Sequence, residues 1–161
     1  MKYLLTLIVC AVVLQVHAQQ PLQKGNAMPD FELVKSNGEK IQASEIKSEL
    51  LIIDFWAGWC KPCIKTIKST LLPLYQKYER HQLEIVGVSY DKSEEKWKKS
   101  IERFKLPWLH VYDGTSFELY EKYNIEIIPT YYVVNREGEI LATNLLSTDL
   151  ESFVSNYFNN Q

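Results

Sequence analysis

Cysteine and histidine are scarce: the 161 residues hold three of each. A structural zinc site normally takes four ligands at tight spacings. Cys10 lies in an apolar leader, and beyond it only His81 and His110 accompany Cys60 and Cys63. The two histidines are not at ligand spacing from one another, so neither a metal nor another cofactor is expected. An excess of one charge sign is also lacking. There are 18 basic and 20 acidic side chains, and no basic stripe is visible along the chain. Nucleic acid is therefore not an expected partner. After residue 18 no apolar run is long enough for the ~20-residue span of a membrane helix. Internal repeats and low-complexity segments are missing too, which leaves one ordinary domain.

The leader, MKYLLTLIVCAVVLQVHA, has Lys2 as a short positive region and an apolar run from Tyr3 to Val16. Val16-His17-Ala18 places small residues where a signal peptidase cuts. Residues 1–18 are expected to be a cleaved secretory signal. An uncleaved membrane anchor is the alternative, although the run is short for it. Cys10 sits inside the run rather than after it, which argues against lipid attachment. Cleavage would leave 143 residues and, without Lys2, a net charge of −3. The product is expected outside the inner membrane, in the periplasm, as a monomer with no stable membrane insertion. Residues 19–29 read as a linker and 30–161 as the domain.

Only Cys60 and Cys63 then remain. Export places them where disulfides form. A structural disulfide gains most by closing a long loop, and this pair closes almost none. A bond that stabilises little but can open and close points to redox chemistry.

Asp30 to Val34 and Glu39 to Gln42 flank Ser36-Asn37-Gly38, a hairpin signal. Ser44 to Ser48 fits one helical turn. LLIIDF, residues 50–55, is apolar without alternation, as in a strand covered on both faces. A helix is predicted from about Cys60, with Ile64, Ile67, Leu71, Leu74, Tyr75 and Tyr78 in phase through Pro73. That predicts one kinked helix. LEIVGVS, residues 83–89, is the next strand. Ser93 caps a helix with Trp97, Ile101 and Phe104 on one face, and Lys98, Lys99 and Arg103 toward water. Trp108 to Tyr112 reads as a short strand. Thr115 with Glu118, and Thr148 with Glu151, have capping-box spacing. Thr130 to Val134 and Glu139 to Thr143 flank a second hairpin turn, NREG. Leu150, Phe153, Val154, Tyr157 and Phe158 form the stripe of a last helix. This order predicts an α/β protein with a mixed central sheet flanked by helices.

A disulfide exchanger needs one exposed, stabilised thiolate and a second thiol that resolves the mixed disulfide. Cys60 at a helix start would meet free N–H groups and the favourable end of the dipole. Cys63, one turn on, would face the same way but be more covered. Pro62 suits a first helical turn, and Lys61 adds a screened positive charge. Trp59, next to Cys60, is expected to be partly exposed over the sulfur. Trp56 is as well read as a core aromatic. Asp54 lies inside an apolar strand, where a carboxylate is costly to ionise. Its pKa should be raised, which suits a proton acceptor for Cys63.

IIDFWAGWCKPC, followed far downstream by IIPTYYVVNREGEI, resembles the thioredoxin superfamily. The leading MPDFELVKSNGEKIQASEI and the intervening GVSYD resemble its exported TlpA/ResA-type branch. The resemblance covers nearly all of residues 27–158. It implies a thioredoxin fold with an N-terminal β-hairpin extension and thiol–disulfide exchange outside the membrane. It implies Cys60 as the attacking sulfur and Cys63 as the resolving one. Pro129 matches the family's cis-proline, and Ile128 would pair its backbone with a bound peptide. Thr130 completes that motif. Trp59, Lys61, Pro62, Ile128 and Thr130 are the expected substrate-binding set; Cys60, Cys63, Asp54 and Pro129 are the expected catalytic set. Two departures stand out. Pro73 lies ten residues after Cys63, farther than the family's usual proline, and Asp54 occupies a position where many exported members carry Asn. The expected activity is reduction of disulfides in client proteins, with an upstream electron donor. A thiol peroxidase is one alternative, but no threonine precedes Cys60 at the spacing that peroxiredoxins resemble. A redox-inactive binding module is another, and retention of Cys60, Cys63 and Pro129 together argues against it.

Overall fold

The computed structural model describes residues 21–34 and 39–160. The signal segment, the Ser36-Asn37-Gly38 turn and Gln161 lie outside the described residues. Five strands form the main sheet: β3 (Leu50–Trp56), β4 (Leu83–Ser89), β5 (Leu109–Tyr112), β6 (Thr130–Asn135) and β7 (Ile140–Thr143), in the order β5-β4-β3-β6-β7. The β3–β4 and β4–β5 pairs are parallel, and β3–β6 and β6–β7 are antiparallel. β1 (Glu32–Val34) and β2 (Lys40–Gln42) make the separate antiparallel hairpin. The chain thus has the mixed sheet and N-terminal hairpin of a thioredoxin fold.

All seven residues of β3 are buried. Alternation sends Leu50, Ile52 and Trp56 to one face, with Cys60, Cys63, Ile67, Leu71, Leu150 and Val154. Leu51, Ile53 and Phe55 go to the other, with Phe31, Leu33, Leu119 and Tyr123. The first face is covered by the helix after the cysteines and by α5 (Ser147–Asn159). The second is covered by the hairpin and by α4 (Glu118–Lys122). Asp54 belongs, by alternation, to the cysteine face.

The helix expected to kink at Pro73 instead changes its winding just before it. α1 (Lys61–Thr66) passes into a π turn, Ile67–Leu71, and then α2 (Leu72–Lys77). Pro73 donates no hydrogen bond, and its ring would crowd the carbonyl four residues back. The wider turn absorbs this: the Leu72 N–H bonds to the carbonyl of Ile67, five residues back. Backbone angles stay helical across both junctions, so the apolar phase persists.

Ser93 caps α3 (Glu94–Phe104) as expected, accepting from the Lys96 N–H at 3.3 Å. The other two capping boxes do not form. Asp113, not Thr115, caps α4: its oxygens accept the N–H groups of Leu119 and Tyr120 at 3.1 and 3.2 Å. A carboxylate satisfies two orphan donors where one hydroxyl satisfies one. Leu146 is the cap residue of α5 and makes no side-chain bond, while Thr148 lies inside the helix and bonds Asp149. The turn expected at Ser44–Ser48 is a single 3-10 turn at Ala43–Glu45. In the NREG hairpin, Asn135 Oδ1 accepts from Glu137 and Glu139, and Gly138 takes φ +84°, which favours glycine. Within the expected linker, residues 21–29 are held against the β7 edge. Gly25 and Met28 donate to Ile140 and Gly138, and Ile140 donates back to Asn26.

Candidate active site

The redox loop leaves the end of β3 at Trp56 and enters α1 through Cys60. Trp56 is wholly buried, whereas Trp59 is 55% exposed beside the sulfurs. The Trp56 carbonyl accepts from the Tyr90 N–H at 2.8 Å and the Tyr120 hydroxyl at 3.3 Å. Asp91 fixes the middle of the loop. Its Oδ2 accepts from the Gly58 N–H and from Ser89 Oγ, each at 3.0 Å.

Cys60 is the N-cap of α1, and its Sγ accepts the Cys63 N–H at 3.2 Å. Pro62 stands in the first turn, where a missing N–H costs nothing. Cys60 and Cys63 form a disulfide with S–S 2.01 Å. Cys60 is 5% exposed and Cys63 wholly buried. Cys63 is the more covered of the two, but Cys60, expected to be exposed, is itself buried in the same apolar cluster. Cys60 Sγ lies 4.0 Å from the Ile128 carbonyl oxygen, and the Ile128–Pro129 peptide is cis. Lys61 and Pro62 are exposed, and Ile128 and Pro129 are half-buried. Thr130 is turned away from the rim: it is 7% exposed, and its hydroxyl donates to the Ile127 carbonyl at 2.6 Å.

Asp54 is buried, and neither carboxylate oxygen has a hydrogen-bond partner. Burial alone pushes its pKa up to about 8. Across the sheet it opposes Gly87 and Tyr131. Burial, with the nearby Asp54 carboxyl as a second cause, also raises the Tyr120 and Tyr131 phenols. His110 is packed against Trp56 and Trp108, and burial lowers its pKa to about 4. It is a half-buried strand histidine. Among the described residues no three His, Cys, Asp or Glu side chains converge on a metal-sized site.

Trp59 and Ile128 of the expected binding set line a groove beside the disulfide, most of whose other walls were not expected from the sequence. It has a volume of about 600 Å³, with Trp59, Tyr90, Phe117, Tyr120, Ile127 and Ile128 in its lining. The Tyr90 ring stands 4.9 Å from that of Phe117 and 4.6 Å from that of Tyr120. Phe117 holds a left-handed backbone, φ +57°, which is costly for a bulky residue and recurs at binding sites. Ile127 is 74% exposed. Its apolar bulk in IEIIP was the one available signal.

A disulfide at a helix N-terminus, the Ile128 carbonyl and a cis-proline beside it, and a buried acid on the strand that leads into the redox loop fit a thiol–disulfide exchange site of the thioredoxin class. The thioredoxin-like family profile matches residues 48–140, and the chain belongs to that family. Within it, the chain is a ResA/TlpA-like protein thiol–disulfide oxidoreductase. It is 24% identical to the thiol-disulfide oxidoreductase ResA of Bacillus subtilis, over 97% of this chain and 88% of that one. It is 32% identical to the thioredoxin-like protein YneN of the same organism, over 74% and 69%. Among solved structures, the thioredoxin domain of a thiol-disulfide oxidoreductase from Bacteroides vulgatus is 30% identical. The TM-score is 0.75, and the match covers 84% of this chain and 98% of that one. A thiol:disulfide interchange protein from Bacteroides sp. is 32% identical with a TM-score of 0.74, over 86% and 91%.

Proposed function

We propose that the protein is exported and reduces disulfides in periplasmic client proteins. In its dithiol form, the Cys60 thiolate attacks one client sulfur. A Cys60–client disulfide forms, and one client sulfur leaves as thiolate. The Cys63 thiol gives its proton to the Asp54 carboxylate and attacks Cys60 Sγ. The Cys60–Cys63 disulfide closes, and the second client sulfur leaves. Two electrons pass to the client, and an upstream dithiol donor restores the enzyme. Ile128 would pair its backbone with the client strand, and Trp59 with the aromatic groove would hold the residues beside the client's cystine.

The observation that carries this reading is the placement of Cys60: at the helix cap, at the groove's edge, with Cys63 behind it. Equilibration with glutathione redox buffers tests the direction. A potential more negative than the glutathione pool supports a reductant. A value near the strongly oxidising exported enzymes reverses the direction. Insulin reduction separates an active exchanger from a binding module, and peroxide consumption would reveal a peroxidase. Export is tested by fractionation with N-terminal sequencing, expected to begin at Gln19.

A further inference from the structure

Lys92, Lys96, Lys99 and Arg103 are spaced by four, three and four residues along and just before α3. That repeat stacks side chains on one helix face. Along the sequence the stripe is hidden by Glu94, Glu95 and Glu102. The fold sorts the charges. Glu94 pairs with Lys98 at 2.7 Å, and Glu95 with Lys99 at 2.6 Å. Among the described residues, Lys92, Lys96 and Arg103 have no carboxylate at ion-pair distance. All four stripe cations line one cleft of about 360 Å³.

The opposite wall of that cleft is the redox loop, through Gly58 and Trp59. The approach is close because residue 58 is glycine: a Cβ there would fall 1.9 Å from Ser100 Oγ on α3. Asp91 is the one carboxylate in the lining, and its Oδ2 is already committed to the Gly58 amide and the Ser89 hydroxyl. The chain as a whole carries a net charge of −2. The positive field is therefore local, and it borders the exposed Trp59.

We propose that this cleft docks an acidic segment of the client next to its disulfide, so that the enzyme selects cystines flanked by Asp or Glu. The proposal rests on the reading of Cys60 as the exchange nucleophile. A concave cleft opening onto the redox loop suits a peptide whose cystine reaches Cys60 better than it suits a flat membrane. Charge complementarity of this kind acts mainly on the rate of encounter and is screened by salt.

The test uses the reduced protein and two cystine peptides, identical except for three Glu or three Lys beside one cysteine. The acidic peptide should be reduced about tenfold faster at low salt, and high salt should remove the advantage. The triple variant Lys92→Glu, Lys96→Glu, Arg103→Glu should abolish or invert the preference. The triple variant Lys47→Glu, Lys77→Glu, Arg136→Glu changes net charge equally at distant exposed positions and should keep it. Equal rates for the two peptides, or a preference that survives reversal of the cleft, would overturn the proposal. So would a preference lost equally in the distant variant. Binding to phosphatidylglycerol vesicles that the cleft variant loses, without peptide discrimination, would reassign the cleft to a membrane surface. Uncharged bis(2-hydroxyethyl) disulfide separates the two layers. No reaction with it removes the exchange reading and the docking proposal together; reaction with it but equal peptide rates removes docking alone.

Discussion

The loop leading to Cys60 is tied down by a hydrogen-bonded carboxylate; the strand leading into that loop buries a carboxylate with no partner. Two buried aspartates mark the contrast. Asp91, 2% exposed, accepts from the Gly58 amide and the Ser89 hydroxyl and holds the loop that presents Trp59 and Cys60. Asp54, 1% exposed, accepts from nothing and is pushed up to about 8. The same side chain, buried to the same degree, is a structural tie in one place and an unpartnered acid in the other, the group we propose as the proton acceptor. Burial alone does not separate these roles. The presence or absence of donors does.

The sharpest way to break the comparison is to remove each sulfur. Cys60→Ser should lower client reduction by about a thousandfold or more, on the scale of losing a nucleophile. Cys63→Ser should also stop turnover, but it should accumulate a mixed disulfide through Cys60, visible by mass spectrometry. Equal trapping by both variants would erase the division between an attacking and a resolving side.

Asp54→Asn comes next. An acid whose pKa is raised by folding binds more protons in the native state than in the unfolded state between the two pKa values. Wild-type stability should therefore fall as pH rises from about 4 to about 8, by up to about 1.4 kcal/mol per pH unit. Asn removes that slope. The variant should match wild type near pH 4 and exceed it by a few kcal/mol near pH 8, read by urea denaturation at each pH. It should also resolve mixed disulfides at least about tenfold more slowly near neutral pH, since general-base transfer is lost. Parallel stability curves across this range would place Asp54 in contact with water.

Asp91→Ala should act in the opposite direction. It orphans two donors and should cost about 1–3 kcal/mol. Asp91→Asn keeps one carbonyl acceptor and should recover part of the loss. If Asp91→Ala leaves thermal stability unchanged, the loop is held by something other than this carboxylate.

Much of the outer-to-inner order was legible in the sequence. LLIIDF announced a strand buried on both faces, and a lone acid within it announced Asp54. The short closure between Cys60 and Cys63 pointed to redox use rather than to a staple. What escaped was assembled across the chain. The groove joins Tyr90 after β4, Phe117 before α4 and Ile127 before β6, and no local period links them. Asp113 reaches α4 from six and seven residues upstream, whereas a capping-box search looks three residues back. The apolar positions keep helical spacing on both sides of the π turn, so phase alone did not expose the change of winding ahead of Pro73.

The smallest effect is expected at Lys61, the charge nearest Cys60 in sequence. Proximity suggests a strong influence on the thiolate, and exposure argues against one. Lys61 stands free in solvent on the first turn of α1. At physiological salt, exposed charges are screened within about 8 Å, and surface pairs contribute about 0–1 kcal/mol. The helix N-terminus and its free N–H groups remain in place when the lysine is gone. Lys61→Gln should thus slow attack on an uncharged disulfide by less than about threefold at physiological salt, with a somewhat larger effect at low salt. Stopped-flow rates at two salt concentrations read this directly. A salt-independent loss of tenfold or more would show Lys61 pressed against the sulfur in the dithiol form. The attacking sulfur would then depend on a fixed charge, as the resolving sulfur depends on Asp54 in the mechanism we propose.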